Sequence, residues 1–345
     1  MRFALTEDQT DFRAAVRDLL ADTCPSEAVR AAWREPVGEI VGGGDGRVRA
    51  AWDALAEMGV LGVMVPEESG GLGMGDEDLV PLLVECGRVA LPDPVSSTAY
   101  VASGLLRDNT SDPARALLGR IADGSATVGV GFSGSANLTA AATIDAFLMC
   151  DRDEVHLLGS GDVSIRPVQS VDGARALGVV DWEPSGDTLI ASGEAGSHAV
   201  TRAFDRAALG AAAQLVGLGG AMIDMTVAYA GERRQFGVPI GSFQAVKHHL
   251  ADAALAVAFA EPLVLRAANS LAHGDPDAPV HVSMAKARAS EAALVASDAA
   301  LQCHGAIGYT VEYDLHLFMK RSWALAARYG DADFHRDRIR IALLG

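Results

Sequence analysis

The spacing of apolar residues changes twice along this chain. Over the first third it is helical: Phe12, Val16, Leu19 and Leu20 recur every three or four residues, behind a Thr6 and Gln9 that stand as a capping box. Segments of the same period cover about 46–58, 76–89 and 94–107. From about 125 to 200 the runs shorten. Residues 126–132, 146–150, 154–158, 178–182 and 188–191 are separated by Gly, Asp, Ser and Pro, which predicts a small antiparallel β domain. After Phe204 the helical period returns, in runs at about 205–232, 243–273, 280–304, 314–328 and 332–343, enough for a bundle. Pro262, inside the second run, predicts a kink or a break. The domains so drawn are a helical unit at 1–122, a β unit at 123–203 and a helical bundle at 204–345.

Half of the 345 residues are apolar, so a large core is available. No uncharged apolar run of about 18 residues suits a membrane span. Acidic residues stand near the N-terminus where a signal peptide would be apolar, which predicts a cytoplasmic protein. Cys24, Cys86, Cys150 and Cys303 lack the short spacings of a zinc site or redox pair and read as reduced, mostly buried thiols. The net charge of −17 argues against nucleic acid, which needs a concentrated basic face. It leaves room for a small anionic ligand held by a few local donors.

Two segments carry candidate chemistry. One is Arg233-Arg-Gln-Phe236-Gly-Val-Pro-Ile-Gly-Ser-Phe-Gln244; the other, about 70 residues later, is Gln302-Cys-His-Gly305-Ala306-Ile-Gly308-Tyr-Thr-Val-Glu312-Tyr313. The second places an amide, a glycine-rich bend and one carboxylate after a long alanine-rich helix. Glycines let a backbone come close to a ligand, and a guanidinium presents a planar fork to anions. In this order and at this spacing the two segments resemble the acyl-CoA dehydrogenase family, with its R-x-x-F-G and Q-x-x-G-G-x-G stretches. The loop at 66–75, a proline followed by glycines, resembles one in that family's N-terminal domain.

The resemblance implies an acyl-CoA dehydrogenase-like fold: a helical N-terminal domain, a small, shortened, β-barrel-like middle domain and a C-terminal four-helix bundle. It implies FAD as cofactor, an acyl-CoA substrate, and an electron-transferring flavoprotein as acceptor. Arg233 then suits the pyrophosphate, Phe236 packs on the cofactor, Gln244 and Gln302 bond its polar atoms, and Gly305, Ala306 and Gly308 let the backbone approach. Glu312 is the implied base. An acyl thioester is a weak carbon acid, so its α-proton needs a positioned carboxylate in a dry site while a β-hydride leaves for the flavin N5. Relatives with an earlier base have it where Ala207 stands; Asp205, two residues short, reads as a charge at a helix N-terminus. His248, His249 and His304 read as helix-surface or cofactor-edge residues without a metal constellation.

The chain also departs from the family. Ala306 replaces a glycine, Tyr329-Gly330-Asp331 stands where an E-G-T stretch is usual, and 128–136 lacks the acidic-proline pair that cradles the flavin. An aspartate beside a pyrophosphate is repulsive, so Asp331 does not read as the threonine's replacement. Keeping the residues that reach a neighbour's flavin while losing those that hold its own resembles one half of the heteromeric acyl-CoA dehydrogenases of actinobacteria. Those are heterotetramers of two related chains, several acting on steroid side-chain CoA thioesters. Two other classes share these features: a non-catalytic subunit that completes a sister chain's FAD site, and a flavin oxidase or monooxygenase on the same fold.

Overall fold

The structure, a computed structural model, describes residues 4–33, 43–133 and 137–345. Its first third holds α1 (Glu7–Thr23), α2 (Ser26–Ala31), α3 (Arg49–Glu57), α4 (Asp76–Arg88), a π-helical stretch (Ser96–Ala102) running into α5 (Ser103–Leu106), and α6 (Asp112–Ala122). The capping box forms as read: Gln9 N donates to Thr6 Oγ1 at 3.2 Å and Thr6 N donates to Gln9 Oε1 at 3.0 Å. α4 is buried on nearly every face, from Leu79 to Gly87. Among these sits Glu85, whose carboxylate receives Arg13 at 2.6 Å and Arg17 at 2.8 Å. A buried carboxylate survives only with such partners.

The middle of the chain forms two small sheets. β1 (Val128–Phe132), β3 (Ala146–Asp151), β4 (Glu154–Gly159) and β7 (Leu189–Ala191) lie in that order in one, and β2 (Asn137–Leu138), β6 (Gly178–Asp181) and β5 (Ser164–Pro167) in the other. The expectation of an antiparallel unit is corrected at one pair, because β1 and β3 run parallel. The chain crosses over between them through β2 and a 3-10 turn at Ala141–Thr143, which a strand-by-strand reading does not reveal.

α7 (Gly193–Glu232), a hairpin of β8 (Arg234–Gln235) and β9 (Val238–Pro239), α8 (Gln244–Ala272), α9 (Ala278–His304), a 3-10 turn (Gly305–Tyr309), α10 (Leu315–Ala327) and α11 (Ala332–Leu344) complete the chain. α7 starts at Gly193, not near Phe204. Asp205 is therefore in mid-helix, and its reading as a helix N-terminal charge is corrected: it is buried and accepts from Arg338 of α11 at 2.9 Å. α8 runs through Pro262 without a break. Alanines let these helices pack closely, with Ala253, Ala256, Ala260 and Ala267 of α8 buried alongside Ala285, Ala289, Ala292 and Ala296 of α9.

α7 is the one helix among the described residues long and apolar enough to cross a membrane, but 61% of its apolar window is buried inside the fold. It is a core helix. α4 crosses it so closely that a Cβ on Gly217 would stand 2.0 Å from Val84 O, and one on Gly87 2.2 Å from Gln214 O. About three turns earlier on both helices, Arg206 of α7 donates to Asp76, the first residue of α4, at 2.8 Å. Cys24, Cys86 and Cys150 are buried and free; Cys303 is half-buried.

Candidate functional site

The two motif segments meet at one end of the bundle. Tyr229 in the last turn of α7 stacks on His304 at the end of α9, with ring centroids 4.3 Å apart, and Tyr313 closes on both at 4.7 Å from His304 and 5.8 Å from Tyr229. His304 is thus a buried packing residue, which corrects its reading as a helix-surface group. Its Nδ1 bonds Ala300 O at 2.8 Å, and burial pushes its pKa below the usual histidine value. Beyond it Gly305 takes φ +65, ψ −144, open to glycine at little cost. At Gly308 a Cβ would come within 2.9 Å of His304 Cβ. Ala306 is exposed, so its extra methyl meets no crowding.

Arg233 follows this cluster directly, its backbone N donating to Tyr229 O at 2.8 Å. Its side chain is exposed and forms no ion pair among the described residues, not even with the adjacent Glu232. The hairpin then turns through Phe236 and Gly237, at φ +54 and +83, the two positive values of a type I′ turn. The left-handed region is costly for phenylalanine, yet the ring is 93% exposed, set edge-on to Phe243 at a 6.2 Å centroid distance. Gln244 opens α8, and Gln302 lies in the last turn of α9; both are exposed, as are His248 and His249.

Glu312 sits between two anchors. Tyr313 is held in the aromatic cluster, and Arg30 of α2 pairs with Asp314 and donates to Val311 O at 3.1 Å. The carboxylate itself is exposed, with no hydrogen bond or ion pair among the described residues. Among the described residues nothing covers the carboxylate to give it the dry site that a base needs. Sequence reading missed the Arg30 anchor, because it joins positions nearly 300 residues apart.

A small, partly open cavity lies elsewhere, where all three parts of the chain meet. Leu91–Pro94, Ser96, Ser97, Gly129, Thr139 and Arg175, Ala211 and Gln214 of α7, and Arg321, Leu325, Arg328 and Tyr329 around the end of α10 contribute to its wall. Its volume is about 60 Å³, far under the roughly 300–1,000 Å³ of ordinary ligand pockets. The E-G-T replacement borders it. Tyr329 has φ +56, its carbonyl bonds His335 Nε2 at 2.9 Å, and Gly330 O accepts from buried Lys286 Nζ at 2.9 Å. Lys286 also donates to Ala326 O at 2.9 Å and Ser290 Oγ at 3.1 Å, and burial pulls its pKa down to about 7. Asp331 caps α11, accepting from Phe334 N at 2.9 Å, which accounts for the aspartate without any ligand.

The outward end fits part of an FAD. A guanidinium and two amides without partners among the described residues, and a glycine bend, suit an anionic, planar group. The inner half does not fit. The cavity is too small for an isoalloxazine, and along β1 a Cβ on Gly129 would already meet Leu138 Cδ1 at 2.9 Å. Of the stretch 128–136, residues 134–136 lie outside the described residues.

Family profiles described as the acyl-CoA dehydrogenase N-terminal and C-terminal domains match residues 6–142 and 194–344. Acyl-CoA dehydrogenase IpdE2 of Mycolicibacterium smegmatis is 31% identical over 329 residues, 94% of this chain and 96% of its own. Among solved structures, the ChsE4-ChsE5 complex from Mycobacterium tuberculosis matches at TM-score 0.84 and 22% identity over 100% of both chains. The Tcur3481-Tcur3483 steroid ACAD matches at 0.82 and 23%, over 96% of each.

Proposed function

We infer from its membership of the acyl-CoA dehydrogenase family, to which this chain belongs, that it works as one subunit of an FAD-dependent acyl-CoA α,β-dehydrogenase built from two related chains. One observation carries this reading: Arg233, Phe236, Gln244, Gln302, Gly305 and Glu312 lie exposed at one end of the bundle, while the cavity bordered by the E-G-T replacement has no room for a flavin. Their work is then done on a cofactor seated in the partner. Arg233 would hold the pyrophosphate, Gln244 and Gln302 would satisfy polar atoms, and the bend at Gly305, Ala306 and Gly308 would lie against the cofactor's edge. Bound there, FAD supplies the two-electron acceptor for the β-hydride.

The α8 face supports a partner. Leu255 and Phe259 are 55% and 66% exposed on the side of α8 opposite its buried alanines, so a second apolar stripe is left uncovered. A related chain fits it, since ChsE4-ChsE5 and Tcur3481-Tcur3483, the two structural relatives above, each pair two chains. Tcur3481-Tcur3483 is a steroid ACAD, which supports a bulky acyl-CoA, such as a steroid side-chain CoA ester, as substrate here. A cytoplasmic setting and an electron-transferring flavoprotein as acceptor belong to the same reading.

Glu312 divides it in two. With its carboxylate exposed, the geometry favours a base supplied by the partner, this chain completing the flavin site. In the second reading, docking of the partner dehydrates Glu312 and makes it the base; its fixed backbone between Tyr313 and Arg30 favours that. The test of the proposal is the ratio of flavin absorbance to protein. The chain alone should carry almost no FAD, and the co-expressed pair one FAD per two chains. A yellow homotetramer with one FAD per chain would return the protein to the one-chain dehydrogenases.

A further inference from the structure

Val311, just before Glu312, and Asp314, two residues after it, are held by the same side chain, Arg30 of the six-residue helix α2. Its Nε donates to Asp314 Oδ1 at 2.7 Å, its Nη2 pairs with the same oxygen, and its Nη1 donates to Val311 O at 3.1 Å. Between these two points Tyr313 packs on His304 and Tyr229. The backbone is thus fixed on both sides of a residue whose own side chain is exposed.

The fold itself gains little from this pairing. The two side chains are 28% and 30% exposed, and ion pairs so open to water contribute little to stability. Asp314 stands at the N-cap of α10, where a carboxylate can accept from the first N–H groups of the helix, yet it makes no such bond and turns to Arg30. A guanidinium suits the task, because its planar fork reaches a carboxylate and a carbonyl at once, which a lysine cannot do.

We propose that Arg30 is a positioning residue for the outward site: acting through Val311 and Asp314, it sets the rim between the glycine bend and α10 before FAD binds. The inference rests on the reading of that end of the bundle as the cofactor-facing one. A rim held beforehand lowers the ordering cost of binding, since each backbone residue left free must be fixed when the ligand arrives. Releasing Val311 and Glu312 should therefore weaken FAD binding at least tenfold.

The experiment reads the rim in the chain alone and in the FAD-loaded assembly. In the isolated chain, a glutamate-specific protease followed by mass spectrometry measures the rate of cleavage after Glu312. Arg30→Met should raise that rate at least tenfold, leave cleavage after the exposed Glu232 unchanged and move the melting temperature little. In the assembly the same variant should raise the dissociation constant of FAD at least tenfold. Arg30→Lys, able to serve Asp314 or Val311 O but not both, should recover part of the loss. Asp314→Asn leaves Val311 O to Arg30 and should shift both readings the same way by less; it replaces Arg30→Met should that variant misfold. Unchanged cleavage after Glu312, or faster cleavage with unchanged FAD affinity, would overturn the proposal. One FAD per chain in the isolated protein would refute the two-chain reading instead, and the same comparison on that homo-oligomer would still decide the role of Arg30.

Discussion

Replacing Phe236 by glycine should move two measurements in opposite directions. The residue holds φ +54 at the tip of the β8–β9 hairpin, and its ring is 93% exposed. For an L-residue that backbone costs roughly 1–2 kcal/mol, which glycine removes. Glycine adds back about 0.5–1 kcal/mol through the freedom of the unfolded chain. The lost contact with Phe243, at 6.2 Å and exposed, offsets little. The isolated chain should therefore gain up to about 1 kcal/mol in urea denaturation. Assembly should suffer, because nearly all of the ring's burial is still to be realised against a partner. Full burial of a phenylalanine contributes about 1.5–3 kcal/mol, so the pair should dissociate roughly 10- to 150-fold more readily in sedimentation equilibrium. A less stable chain with unchanged assembly would mean that Phe236 serves its own fold, and the interface reading would fail.

Two further outcomes are expected. Glu312→Gln in the assembled pair should lower flavin reduction by acyl-CoA less than tenfold in stopped-flow absorbance, as befits a carboxylate this chain leaves in solvent; a fall of several orders of magnitude would instead make Glu312 the base. Lys286, with a pKa near 7 when folded against an ordinary 10.5, binds fewer protons in the folded than in the unfolded state between those values. Stability should thus rise with pH across that window, by at most about 5 kcal/mol and less where its three acceptors favour the ammonium, and Lys286→Met should flatten the profile. Parallel denaturation profiles of the two proteins from pH 7 to about 9.5 would show that burial does not perturb the lysine.

What the sequence disclosed was local or repetitive. The capping box at Thr6 and Gln9 and the alanine-rich runs of α8 and α9 are each written within a few turns of helix, and they folded as read. The start of α7 was not legible. Gly193 and Gly196 look like helix breakers, but a Cβ at Gly196 would stand 2.0 Å from Asp153 O, so that glycine serves a close approach to the β3–β4 turn. Asp205 and His304 were misplaced for a similar reason: their partners, Arg338 and the pair Tyr229 and Tyr313, come from other elements. The outward site was visible because its residues lie in two short motifs. The arginine cavity was not, since Arg175, Arg321 and Arg328 are brought together only by the meeting of the small sheets with α10.

The paired glycines at the crossing of α4 and α7 also have a mechanical meaning. Sliding of packed helices needs surfaces that can pass one another, and here each backbone lies in a notch cut into the other at Gly87 and Gly217. A displacement of one residue along either axis would drive a side chain into a carbonyl. With Arg206 and Asp76 pinning the same two helices about three turns away, α4 and α7 are locked to one another. Any yielding on ligand binding or partner docking then falls to the projecting hairpin, whose residues 234–238 are all exposed.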